Sequence, residues 1–159
     1  MWERLRRFSS LDPAARELFL RALLLLPLIS FRLRFRGFGA TQQTLQGFLG
    51  DSVKNAMKDS TALANDLQRA ALTTRMVNAA ARYAWKNATC LEKSLALWYL
   101  LARQGIASTV RIGARKLDDK FQAHAWVERE GVPLDDPGDS HRHYATFDVA
   151  FPLHTSETP

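Results

Sequence analysis

The chain has 159 residues, of which 47% are hydrophobic and 24% charged. That is enough for one domain with a real core and too little for two. The only cysteine, Cys90, excludes an internal disulfide and a zinc site built from several cysteines, so a reducing cytoplasm is the compartment the composition fits best. The net charge of +6 is unevenly placed: Arg4, Arg6, Arg7, Arg16, Arg21, Arg32, Arg34 and Arg36 face only Glu3, Asp12 and Glu17. A solvated basic face on packed helices is the first reading of that excess, ahead of contact with an anionic partner, nucleic acid or lipid. No nucleic-acid recognition motif accompanies the arginines. The apolar run from Leu18 to Phe31 contains Arg21 and Pro27. It is therefore too short and too interrupted to be a transmembrane segment, which needs about 20 apolar residues. Asp12 and Glu17 ahead of it argue against a signal peptide.

In chain order, Asp12-Pro13 reads as an N-cap followed by proline at the first helical position, opening a helix to about Leu26. Pro27 is expected to end or kink it. The alternation Phe31-Arg32-Leu33-Arg34-Phe35-Arg36 predicts an extended piece, and Gly37 and Gly39 an interruption. Residues 41–50 carry only a weak helical signal. A longer helix is expected from Asp59 or Ser60 to about Trp85, with Leu63, Leu67, Ala70, Val77, Ala81 and Ala84 on its inner face.

Thr89 and Glu92 are spaced as a capping box, which makes Cys90 the first residue of the next helix. Free backbone N–H groups and the positive end of the helix dipole favour an anionic sulfur at that position. Leu91, Leu95, Trp98 and Leu101 form the inner side of this helix, which stops before Gly105. The hydrophobic period then changes to two. Strands are predicted over 107–115, 121–128, 132–136 and 144–151, with a polar turn at 117–120 and an unanchored tail after Pro152. The chain thus divides into a helical and extended part (1–58), a catalytic core (59–153) and a tail (154–159).

A three-residue loop Arg129-Glu130-Gly131 would pair Glu128 with Val132 and place His124 opposite Asp136, on the same face. Pro137 favours extended geometry at Asp136. A histidine facing a carboxylate can have its tautomer fixed through one ring nitrogen while the other stays available. With a cysteine at a helix start, this is the constellation for nucleophilic acyl chemistry: Cys90 as nucleophile, His124 as base and then acid, Asp136 as orienting carboxylate. The Cys90 backbone N–H suits one oxyanion donor, and Trp85 and Gln122 are candidates for the second. Asp135 competes with Asp136 and loses only on strand parity, and Asp148 is more remote. His141 and His143 form an H-x-H pair with no third ligand spaced for a metal, and read as solvated loop residues. Neither a metal nor another cofactor is called for.

The segments C-L-E-K-S-L-A-L (90–97), R-I-G-A-R-K (111–116) and F-Q-A-H-A-W-V-E (121–128), with D-D at 135–136, resemble the lasso peptide biosynthesis leader peptidase family. That family consists of transglutaminase-like cysteine proteases, and the resemblance spans most of the chain. It implies an α+β, transglutaminase-like or papain-like fold in which N-terminal helices precede an antiparallel sheet packed on the cysteine helix. It also places Cys90, His124 and Asp136 at the catalytic positions. The implied activity is removal of the leader from a ribosomally made precursor peptide, which frees the core amine for ring closure by a separate ATP-dependent cyclase. Residues 1–88 do not read as a compact winged-helix recognition unit, so leader recognition is expected from a separate small protein. Acyl transfer to an amine and a noncatalytic peptide-binding role are the alternatives.

Overall fold

A computed structural model describes residues 12–50, 63–83, 88–135 and 140–146. Among these residues three helices, α1 (Pro13–Gly47), α2 (Leu63–Ala81) and α3 (Cys90–Arg103), precede four strands, β1 (Thr109–Leu117), β2 (Lys120–Arg129), β3 (Val132–Pro133) and β4 (Ala145–Thr146). A single turn of 3₁₀ helix, Ser140–His143, leads into β4. The strands form one antiparallel sheet in the order β3-β2-β1-β4, so the class is α+β.

The N-terminal part departs from the sequence reading beyond Leu26. Asp12 does cap α1, accepting from the Ala14 N–H, with Pro13 in the first turn. The helix then runs through Pro27 and through the alternating 31–36 segment, which is helical rather than extended. Pro27 lies on the exposed side of the helix. Ala22, Leu26 and Ile29 are buried and Leu33 is half-buried, so helical spacing continues beneath the apparent period of two. The actual break is Gly37, at φ 74° and ψ −180°, a conformation that a side chain disfavours. Arg32 donates to Thr44 Oγ1 at 2.5 Å across that break, joining the two arms.

Helix α2 ends at Ala81, earlier than the expected Trp85. The expected caps Asp59 and Ser60, together with Ala84 and Trp85, lie outside the described residues. Its inner face carries Ala70, Val77 and Ala81 as expected, but Leu67 is exposed and Asp66 is buried in its place. The reason is tertiary. Arg129 at the end of β2, itself buried, reaches Asp66 Oδ2 at 3.2 Å. Burying the two groups together is tolerated because each supplies the other's charge partner, and Arg69 adds a second cation on Asp66 at 3.5 Å.

Helix α3 is the centre of the molecule. Eight of its fourteen residues are buried, and α1, α2, β1 and β2 all pack on it. Leu95, Trp98 and Leu101 point inward as the sequence predicts, and Gly105 takes φ 75° just past its C-cap. Val110 of β1 and Val127 of β2 pair across the strands and join the same core cluster. By alternation, Arg111, Gly113, Arg115, Gln122, His124, Trp126 and Glu128 project from the other face of the sheet.

Candidate active site

The helix start that carries the thiol forms as its sequence dictates. Thr89 is the N-cap, with Oγ1 accepting from the Glu92 N–H at 3.3 Å and the Glu92 carboxylate accepting from the Thr89 N–H at 2.7 Å. Cys90 is therefore the first helical residue, half-buried and not in a disulfide. Its own backbone N–H sits among the groups that a helix leaves unpaired at this end. Burial of α3 on several sides fixes where the sulfur can be.

His124 lies on β2 opposite Gly113 of β1. Its ring has two aromatic neighbours, Trp126 at 5.8 Å with an interplanar angle of 21° and Tyr144 at 5.3 Å. Trp126 is locked in turn: its indole N–H donates to Glu128 at 2.7 Å, and Arg111 holds the other oxygen of that carboxylate at 3.0 Å. The Arg115 guanidinium covers the Tyr144 ring at 4.7 Å. Gly113 leaves the space this wall needs. A Cβ there would lie 2.8 Å from Tyr144 Cβ and 3.1 Å from Trp126 Cη2.

The hairpin register differs from the predicted one. Arg129 pairs with Val132 and Glu128 with Pro133, across a two-residue loop whose residues Glu130 (φ 52°) and Gly131 (φ 78°) are both left-handed. That is the turn whose twist matches the flanking strands, and Glu130 supplies a left-handed position that three-residue counting assigned to Gly131 alone. The three-residue loop on which the predicted pairing of His124 with Asp136 rests is therefore not the loop that forms. Asp136 itself lies outside the described residues, as do Trp85 and Asp148.

Asp135 is engaged at both oxygens. Oδ1 accepts from the Val127 N–H at 2.8 Å, and Oδ2 accepts from Ser94 Oγ at 3.2 Å. Burial holds its carboxyl above the ordinary value of 3.8, and the two hydrogen bonds and the nearby charge of His124 only partly offset that. Ser94 and Asp135 carry contacts that the sequence reading did not assign. The available signal was the i,i+4 spacing of Cys90 and Ser94, which puts both on one side of α3.

Gln122 is exposed, and its amide oxygen accepts from Arg115 Nε at 2.9 Å, leaving the amide nitrogen as its donor. His143 is exposed, but His141 is half-buried with its ring 6.0 Å from Trp126, so it packs on the site wall instead of being a solvated loop residue. Among the described residues, no group of three or more His, Cys, Asp and Glu is placed to hold a metal ion. The structure packs the cysteine helix on the histidine strand.

Residues 25–148, most of the chain, match the family model of the transglutaminase-like superfamily. The chain belongs to that superfamily. No curated protein and no solved structure gives a significant match. The match spans α3, the sheet and most of α1, so this transglutaminase-like domain includes the element that carries Cys90 and the strand that carries His124. Cysteine peptidase and acyltransferase chemistry are both compatible with it. No helix among the described residues is long and apolar enough to cross a membrane.

Proposed function

We propose that the protein is a cysteine peptidase that removes the leader from a ribosomally synthesised lasso precursor peptide. The observation that carries this reading is the position of Cys90, the only cysteine, at the capped start of a buried helix in a transglutaminase-like domain. The similarity of 90–97, 111–116 and 121–128 to lasso leader peptidases supports the substrate class. In this mechanism the Cys90 thiolate attacks the carbonyl carbon of the last leader residue, and the Cys90 N–H, with Gln122 or Trp85, receives the oxyanion. His124 takes the thiol proton and returns it to the departing core amine as the C–N bond breaks. Water, deprotonated by His124, then cleaves the thioester and releases the leader acid. Asp136 orients the imidazole and stabilises its charged form. The freed amine passes to a separate cyclase, and a separate small protein supplies leader recognition.

Mass spectrometry of precursor peptide incubated with wild type or Cys90→Ala, with and without the recognition protein, tests the reading. One cut at the leader–core junction is expected, dependent on Cys90 and faster with the recognition protein. An added primary amine incorporated into the leader in place of water would identify an acyltransferase instead. Absence of cleavage by folded wild type with recognition protein and cyclase present would overturn the peptidase assignment.

A further inference from the structure

We propose that Ser94 and Asp135 form a clasp that sets the position of the Cys90 helix against the His124 strand, with both acting as positioning residues. The proposal rests on Cys90 and His124 being the reacting pair. Ser94 lies one helical turn after Cys90, on the same side of α3, and is fully buried. A buried hydroxyl needs a partner, and here its partner is not the backbone of its own helix, as it is for Thr41, Thr44 and Thr73. Ser94 Oγ instead donates across the helix–sheet junction to Asp135 Oδ2.

The other end of the bridge replaces a main-chain bond. Leu134 N–H donates to Val127 C=O at 2.8 Å, continuing the β2–β3 ladder by one step, and the reciprocal Val127 N–H would be expected to find the next main-chain acceptor. It donates to Asp135 Oδ1 instead. One carboxylate therefore ends the ladder and ties the strand, three residues beyond His124, to the helix, four residues beyond Cys90. A small displacement of a nucleophile relative to its base is costly in rate even where binding is unchanged.

Two readouts test the clasp. The first is steady-state cleavage of precursor peptide. Ser94→Ala is expected to lower kcat about tenfold to a hundredfold with KM within about twofold, and Ser94→Thr, which keeps the hydroxyl, to recover most of it. The second needs no peptide: the rate of Cys90 alkylation by iodoacetamide at fixed neutral pH. It is expected to fall by about tenfold in Ser94→Ala and in Asp135→Asn, and to be restored in Ser94→Thr. Because alkylation reads only the thiol and its surroundings, it reports on the clasp even if the precursor proves not to be the substrate. Thermal melts identify any variant that does not fold, in which case Asp135→Asn, nearly isosteric with wild type, carries the test. Folded Ser94→Ala and Asp135→Asn with wild-type kcat and wild-type alkylation would overturn the proposal. So would equal loss in Ser94→Ala and Ser94→Thr, since rescue by the retained hydroxyl is what distinguishes a clasp from simple packing.

Discussion

Helices α1 and α3 are both rich in leucine, yet the molecule uses them differently. In α3 the apolar residues are almost all inside, and Leu95, Leu97, Trp98 and Leu101 are about 1% exposed or less. In α1 only one stripe is covered, while Leu20, Leu24, Leu28, Phe31 and Phe35 face outward, Leu24 at 77% exposure. Neighbours on several sides hold α3, so its first turn can present a reactive atom at a defined place. Helix α1 is a jacket on one side of it, and its proline and its break at Gly37 are tolerated because nothing chemical depends on its exact course. Position in the packing, not apolar content, separates a scaffold for chemistry from a cover.

The largest expected effect lies at the defined end of α3. Cys90→Ala should reduce turnover by more than about 10³-fold. Its melting temperature should stay near wild type, because a half-buried sulfur is a small packing loss; calorimetry beside the activity assay checks both halves of that statement. Next is the seam between the helices and the sheet. Asp66→Ala leaves the buried Arg129 guanidinium without its main partner and should cost about 3–5 kcal/mol in a denaturant melt. The double change Asp66→Leu with Arg129→Met should recover most of that loss.

The contrast between the two helices can be measured directly. Leu101→Ala in α3 should destabilise by about 2–5 kcal/mol. Leu24→Ala in α1 should stay within about 0.5 kcal/mol. Similar losses at the two positions would mean that the outward stripe of α1 is covered in solution. The smallest effect is a slope. Because burial raises the Asp135 carboxyl, the folded state holds that proton more tightly than the unfolded chain. The associated stability is complete below pH 3.8 and is lost as pH rises through the raised value. Asp135→Asn has no proton to lose in this range, and whatever the amide costs in the bond to Ser94 is present at both pH values. Its stability relative to wild type should therefore be higher at pH 7 than at pH 3.5, measured by urea titration at both.

The cysteine helix was fully legible in the sequence because three independent signals agree there: the capping box, the apolar spacing and the glycine beyond its end. Strands β1 and β2 were legible from their alternation. The segment 31–36 was misread because a period of two over six residues also fits a helix whose arginines reach solvent from several sides. Asp66 was missed because its partner lies 63 residues away, and local pattern favours Leu67 at an inner position. The hairpin register failed on one fact, that Glu130 adopts a left-handed conformation usually left to glycine, asparagine or aspartate.

The Asp66–Arg129 pair also bears on how this chain can be cut down for study. It joins the second helix to the last residue of the long central strand, so a fragment beginning after α2 would enclose a guanidinium with no counter-ion among the helices. Such a minimal piece, though it retains cysteine, histidine and sheet, should fail to become a stable protein. One that starts ahead of Asp66 keeps the pair, and supplying the missing helix as a separate polypeptide should restore the shorter fragment by noncovalent complementation.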